Sequence, residues 1–94
     1  MSAAAAPLPP PALAPLLPQH DGRAMPAIGF GTWRCDADKL EPAVLHALAR
    51  GYRHIDCAPI YRNEHIVGAA IARAVAGGLV AREALYITSK LPCV

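Results

Sequence analysis

The stretch GYRHIDCAPIYRNEHIVG, residues 51–68, decides the fold. Gly51 opens it, Arg53 to Asp56 has the pattern of a short strand, and Pro59 forces a turn before Asn63 and Glu64 begin a helix. The strand ends in the carboxylate of Asp56, and a tyrosine, Tyr61, follows five residues later. The carboxyl ends of parallel strands are where open α/β sheets and barrels bind their ligands.

Outward from this stretch, the pattern alternates between strand and helix. On its N-terminal side, Leu40, Val44 and Leu48 recur every four residues and Leu45 widens the stripe, which predicts a helix within Asp36–Arg50. Pro42 is expected in the first turn of that helix, and Gly51 is placed to end it in a left-handed conformation. On the C-terminal side, Asn63 is expected to cap a second helix carrying the rows Ile66-Ala70-Ala74 and Val67-Ile71-Val75, stopped by Gly77-Gly78. Leu85–Ser89 then has the pattern of a buried strand with Lys90 at its end. Earlier, Ile28–Thr32 is expected to be a small strand in which Gly29 and Gly31 mark either a close approach or a bend. Asp21-Gly22 predicts a two-residue turn in a hairpin over residues 16–27. Strands separated by single helices give βαβ units and a parallel sheet.

The first 18 residues, MSAAAAPLPPPALAPLLP, hold six of the ten prolines. Proline withholds the N–H that helices and sheets need, so residues 1–14 are expected to form a disordered leader, with residues 15–94 as the folded part. A net charge of +2 on 94 residues gives no basis for a nucleic-acid partner. No run is long enough to cross a bilayer, which argues against a membrane partner. The leader lacks Lys and Arg up to Arg23, so it resembles neither a secretory signal nor a transit peptide. Cys35, Cys57 and Cys93 are odd in number and widely spaced, which points to a reducing, cytoplasmic setting rather than a disulfide framework.

In a parallel sheet Asp56 and Lys90 would both stand at carboxyl ends of consecutive strands, with Tyr61 on the loop between, so the three converge on one edge. A phenol has an ordinary pKa near 10, too high to protonate an alkoxide efficiently near neutrality unless a cation stabilises its phenolate. An ammonium at about 4 Å supplies roughly 4 kcal/mol of attraction at an effective dielectric of about 20. A carboxylate beside the ammonium keeps it charged and in place. Tyr61 as acid, Lys90 as activator and Asp56 as orienting anion therefore form a device for protonating a carbonyl oxygen, while hydride must come from a nicotinamide cofactor. Against this stand the ordinary roles of loop anchor, core tyrosine and surface lysine. His54, Asp56, Cys57 and His65 crowd one region, but their spacing gives poor ligand geometry and no metal is expected.

These residues resemble the N-terminal part of the aldo-keto reductase superfamily. Gly51-Tyr52-Arg53-His54-Ile55-Asp56-Cys57-Ala58, with Glu64 and Gly68 after it, is similar to the family's first signature, and DGRAMPAIGFGTW (21–33) and LYITSKL (85–91) resemble its opening hairpin with the first strand and its third strand. The resemblance implies the start of a (β/α)8 barrel preceded by a β-hairpin, about three of eight strands. It implies that Asp56, Tyr61 and Lys90 are three of four catalytic residues and that NADPH reduces an aldehyde or ketone with Tyr61 as general acid. Gly31, Thr32, Trp33 and Asp56 stand where the family meets its cofactor, and Trp33 and Tyr61 where it lines the substrate pocket. It further implies a monomer when complete. Residues 15–94 are then expected to be an incomplete barrel domain with little catalysis alone; the alternative is an inactive chain with a binding or regulatory role.

Overall fold

The computed structural model describes residues 13 and 15–92, so the leader expected over residues 1–14 lies, apart from Leu13, outside the described residues. A two-stranded antiparallel hairpin, β1 (Leu16–Pro18) and β2 (Ala24–Pro26), comes first. It precedes a three-stranded parallel sheet of β3 (Gly29–Gly31), β4 (His54–Asp56) and β5 (Tyr86–Thr88), in the order β3-β4-β5. Helix α1 (Ala37–Ala49) joins β3 to β4, and α2 (Glu64–Ala76) joins β4 to β5. The βαβαβ order expected from the periodicities is therefore present, with each strand shorter than the span expected for it.

The hairpin turn differs from the expected two-residue form. Gln19 N–H donates to Arg23 C=O at 2.8 Å and Gly22 N–H to Gln19 C=O at 3.1 Å, which leaves His20, Asp21 and Gly22 as a three-residue loop. Only Gly22 of these has positive φ, at +87°, whereas the two-residue turn needs it at both central positions. The Asp21 carboxylate instead accepts from Arg23 N–H at 3.0 Å.

Both helices bury the predicted stripes. On α1, Leu40, Val44, Ala47 and Leu48 are buried; on α2, Val67, Ala70 and Ala74 are, while Val75 is exposed. All of these buried residues but Ala47 form one core with Ile55, Cys57, Val80 and Leu85, against which Phe30 and Ile87 pack from the flanking strands. Pro42 lies in the second turn of α1 and not the first, because the helix already begins at Ala37. Pro42 has no N–H to donate to the Asp38 carbonyl, and both residues are exposed.

Each helix stops as its glycine predicts. At the end of α1, Gly51 has φ +103°, its N–H bonds to Leu48 C=O at 3.2 Å, and Tyr52 N–H reaches back to Ala47 C=O at 3.0 Å. Gly78 ends α2 through the same pair of bonds, to Val75 and from Leu79 to Ala74. Arg53 reinforces the first stop by donating to Leu48 C=O at 2.8 Å.

Register divides the sheet into two faces. Phe30, Ile55 and Ile87 are aligned across the three strands and point to the helices. Their neighbours form two rows on the opposite face: Gly29-His54-Tyr86, and, one step nearer the carboxyl edge, Gly31-Asp56-Thr88. Alternation along a strand requires this division.

Candidate active site

Asp56 is the last residue of β4, and Lys90 stands two residues beyond the end of β5. Asp56 pairs in register with Thr88, and Cys57 N–H donates to Thr88 C=O at 2.7 Å, so the two chain segments leave the sheet together. That parallel exit carries the Lys90 ammonium back over the end of β4. Its Nζ donates to Asp56 Oδ2 at 2.9 Å and to the Cys57 carbonyl at 2.8 Å.

Tyr61 is delivered by one turn of 3-10 helix, Pro59–Tyr61, entered from the extended Ala58. Pro59 at the head of this turn has its φ fixed in advance and no N–H to leave unpaired. The turn closes with Tyr61 N–H on Ala58 C=O at 3.1 Å and ends at Arg62, whose φ of 58° is left-handed. The result is that Lys90 Nζ lies 5.2 Å from the centroid of the Tyr61 ring. The Tyr61 phenol, the Lys90 ammonium and the Asp56 carboxylate thus lie at one strand edge.

The charges respond to one another. Asp56 is held below its ordinary 3.8, first by the hydrogen bond from Lys90 and then by one from Thr88, against a smaller penalty from partial burial. Lys90 is held above its ordinary 10.5, first by the bond to Asp56, with smaller help from Tyr61 after desolvation is set against it. Both side chains remain partly open to solvent, at 42% for Asp56 and 47% for Lys90. The pair is therefore an accessible charged group, not a buried strut. Burial pushes the Cys57 thiol above its ordinary 9.0, and the nearby Glu64 adds to this. Cys57 is accordingly a thiol packed in the core.

Two residues that sequence reasoning gave no part in the site hold the edge together. Asn63, expected to cap α2, makes no side-chain cap bond. Its Nδ2 donates instead to the Thr32 carbonyl at 2.8 Å, and Thr32 Oγ1 donates in turn to the Asp56 carbonyl at 2.8 Å. The loop bearing Tyr61 is thereby tied to the ends of both β3 and β4. An asparagine before a helix has the same local sequence whether it caps or reaches 31 residues away, so no signal was available. Thr88 is the second: its Oγ1 donates to Asp56 Oδ1 at 2.7 Å, from a strand that reads simply as apolar. Glu64, in the first turn of α2, also accepts from Ser89 Oγ at 2.6 Å.

The residues at the end of β3 differ in what they offer. Thr32 is fully buried with its hydroxyl committed. Gly31, opposite Asp56, is exposed, and a Cβ built there would meet nothing within 4 Å, leaving open space above the carboxyl edge. Trp33 is 64% exposed beside that space, with the Arg34 guanidinium 4.6 Å from its ring centroid.

Comparison with known proteins bears directly on this arrangement. Residues 27–93 match the Aldo/keto reductase family. Aldo-keto reductase family 1 member A1 of Mus musculus is 49% identical over 73 residues, covering 77% of this chain and 22% of that protein. NADP-dependent D-sorbitol-6-phosphate dehydrogenase of Malus domestica is 50% identical over 70 residues, 74% of this chain and 23% of that protein. Among solved structures, a Bombyx mori aldo-keto reductase in complex with NADP superposes with a TM-score of 0.82 at 41% identity, covering 86% of this chain and 28% of that one. The chain thus spans less than a quarter of the two curated relatives named. Its hairpin and three parallel strands are the opening of a (β/α)8 barrel.

Proposed function

The chain belongs to the Aldo/keto reductase family, and from that premise we propose that it supplies the proton-delivering edge of an NADPH-dependent reductase acting on an aldehyde or ketone. The observation that carries this reading is the Lys90 ammonium, held by Asp56 at 2.9 Å and standing 5.2 Å from the Tyr61 ring centroid. A half-buried phenol set beside a partly exposed charge pair at a strand end supports this reading.

In this reading Tyr61 donates its O–H proton to the carbonyl oxygen as that oxygen becomes an alkoxide. Lys90 stabilises the phenolate left behind, and Asp56 keeps Lys90 charged and aimed. The Tyr61 proton is restored from solvent, to which this edge is open. NADPH, when bound, supplies hydride to the carbonyl carbon. The open space over Gly31 fits the approach of a flat nicotinamide to bare backbone, with Asp56 beside it and exposed Trp33 at its border. Thr32 serves that position from beneath, by holding the strand ends. Trp33 and Tyr61 are the residues that would line the space for the substrate.

Cys35 and Cys57 are free thiols, which suits a reducing cytoplasmic setting, and we assign the complete enzyme as a monomer. Among the described residues no helix is long and apolar enough to cross a membrane. Carbonyl-dependent NADPH oxidation by the native gene product, compared with Tyr61→Phe, tests the proposal. Loss of the acid lowers kcat by at least about a hundredfold; equal rates in the two proteins exclude Tyr61 from that role.

A further inference from the structure

The Asp56 carboxylate is gripped from two sides, and only one grip belongs to the acid-delivering group. Lys90 holds Oδ2; Thr88 Oγ1 holds Oδ1 at 2.7 Å. A carboxylate bonded through one oxygen is free to turn about its terminal torsion, whose energy wells are broad. A second donor on the other oxygen fixes its plane, and with it the direction from which Lys90 is held.

We infer that Thr88, seated by His54, is a positioning residue for the Asp56 carboxylate. The inference rests on the reading of Asp56, Lys90 and Tyr61 given above. A hydroxyl has one proton to give. Since Thr88 gives it to Asp56, its contact with His54 Nε2 at 3.3 Å requires the imidazole to donate, which places a proton on Nε2. With His54 donating, the hydroxyl has no reason to turn away from Asp56.

The ring itself is held by its row on the sheet. Tyr86, paired with His54 in register, meets it edge-on at 5.2 Å between centroids. On the other side is Gly29, where a Cβ would come within 3.2 Å of His54 Nδ1. Gly29 therefore marks a close approach, by a side chain of the neighbouring strand. The charged and titratable groups acting on Asp56 are Lys90 from beyond β5 and His54 and Cys57 on either side of it, while Tyr61 approaches Lys90; β3 presents Gly31, which brings no side chain.

The test uses the native gene product, with Thr88→Val to remove the hydroxyl at nearly constant volume and Thr88→Ser to restore it. The imidazole nitrogen resonances of the wild type are expected to show a proton on Nε2, a result that needs no variant to fold. The Asp56 carboxyl titration, followed by NMR, is expected to move to higher pH in Thr88→Val and to return in Thr88→Ser. In parallel kcat falls about tenfold in Thr88→Val while KM for NADPH is unchanged. An Nε2 without a proton in the wild type, or an Asp56 titration indifferent to Thr88→Val, overturns the inference. Full activity in Tyr61→Phe removes the acid assignment instead, and leaves the carboxyl titration to judge Thr88 by itself.

Discussion

The two faces of the β3-β4-β5 sheet are built from alternate residues of the same strands, yet they are held together by different physics. Toward the helices, Ile55 is 1% exposed and joins Leu40, Val44, Leu48 and Val67 in an apolar core. Toward the opposite side, its neighbours His54 and Asp56 join Thr88 and Lys90 in a hydrogen-bonded chain with partial access to solvent. The first face supplies non-directional burial; the second supplies direction. A difference of one residue in register would exchange them, so the strands place chemistry and stability by the same alternation.

Adjacent substitutions in β4 should separate the two contributions. The largest effect is expected from Ile55→Ala, which removes a fully buried side chain and destabilises by about 2–5 kcal/mol. Chemical denaturation of the native gene product measures this, and the turnover of whatever remains folded should be nearly unchanged. Asp56→Asn is expected to do the reverse. It keeps the shape but removes the anion, lowering kcat by about a hundredfold, whereas stability changes by less than about 1 kcal/mol because the group is solvent-screened. If both substitutions moved stability and turnover together, the division of labour between the faces would be wrong.

Much of the core face was legible in the sequence, and less of the other. Leu40, Val44 and Leu48 announce their helix by spacing alone, and Gly51 and Gly78 announce its ends and those of α2, because periodicity and backbone sterics are local. Asp56, Tyr61 and Lys90 were legible through their places at a strand end, on the following loop and after the next strand. The links among them were not. Thr88 sits in a strand rich in apolar residues, and nothing near it in sequence distinguishes a hydroxyl that bonds across strands from one that merely fills a β position. Asn63 holds the N-cap position expected of it, but the use of its side chain was hidden for the same reason: capping is a local habit, and its bond to Thr32 depends on two strands being side by side. Pro42 was misplaced because the start of α1 has no side-chain cap bond to mark it.

The polar face should also reveal itself through pH. Asp56 is held below its ordinary 3.8 by Lys90 and Thr88, so its contribution to stability is complete above that value and is lost as pH falls through the lower value of the folded protein. Lys90 is held above 10.5 by Asp56, so its contribution is complete below that value and is lost as pH rises through the folded one. Both effects should be shallow and weakened by salt, since the pair is partly exposed. Urea midpoints of wild type and Asp56→Asn are accordingly expected to converge in acid, below 3.8. A gap that persisted there would assign the difference to packing and abolish the contrast between the faces.

The smallest expected effect concerns where the polar edge stores strain. The two non-glycine residues with positive φ among those described are Arg34 and Arg62, and each follows directly on an aromatic residue of the proposed pocket, Trp33 or Tyr61. A left-handed conformation costs an L-residue about 1–2 kcal/mol. At Arg62, φ 58° ends the single turn that presents Tyr61, so the cost falls on the loop that must hold the acid. Glycine there would relieve the strain but lose more chain entropy on folding, by roughly 0.5–1 kcal/mol. Arg62→Gly is thus expected to stabilise by no more than about 1 kcal/mol, read as a higher urea midpoint, with kcat nearly unchanged because Asn63 still ties the loop to Thr32. A clear loss of stability would mean that the arginine itself anchors the turn. A large loss of kcat would mean that the strained conformation, and not the Asn63 tie, keeps Tyr61 over Lys90.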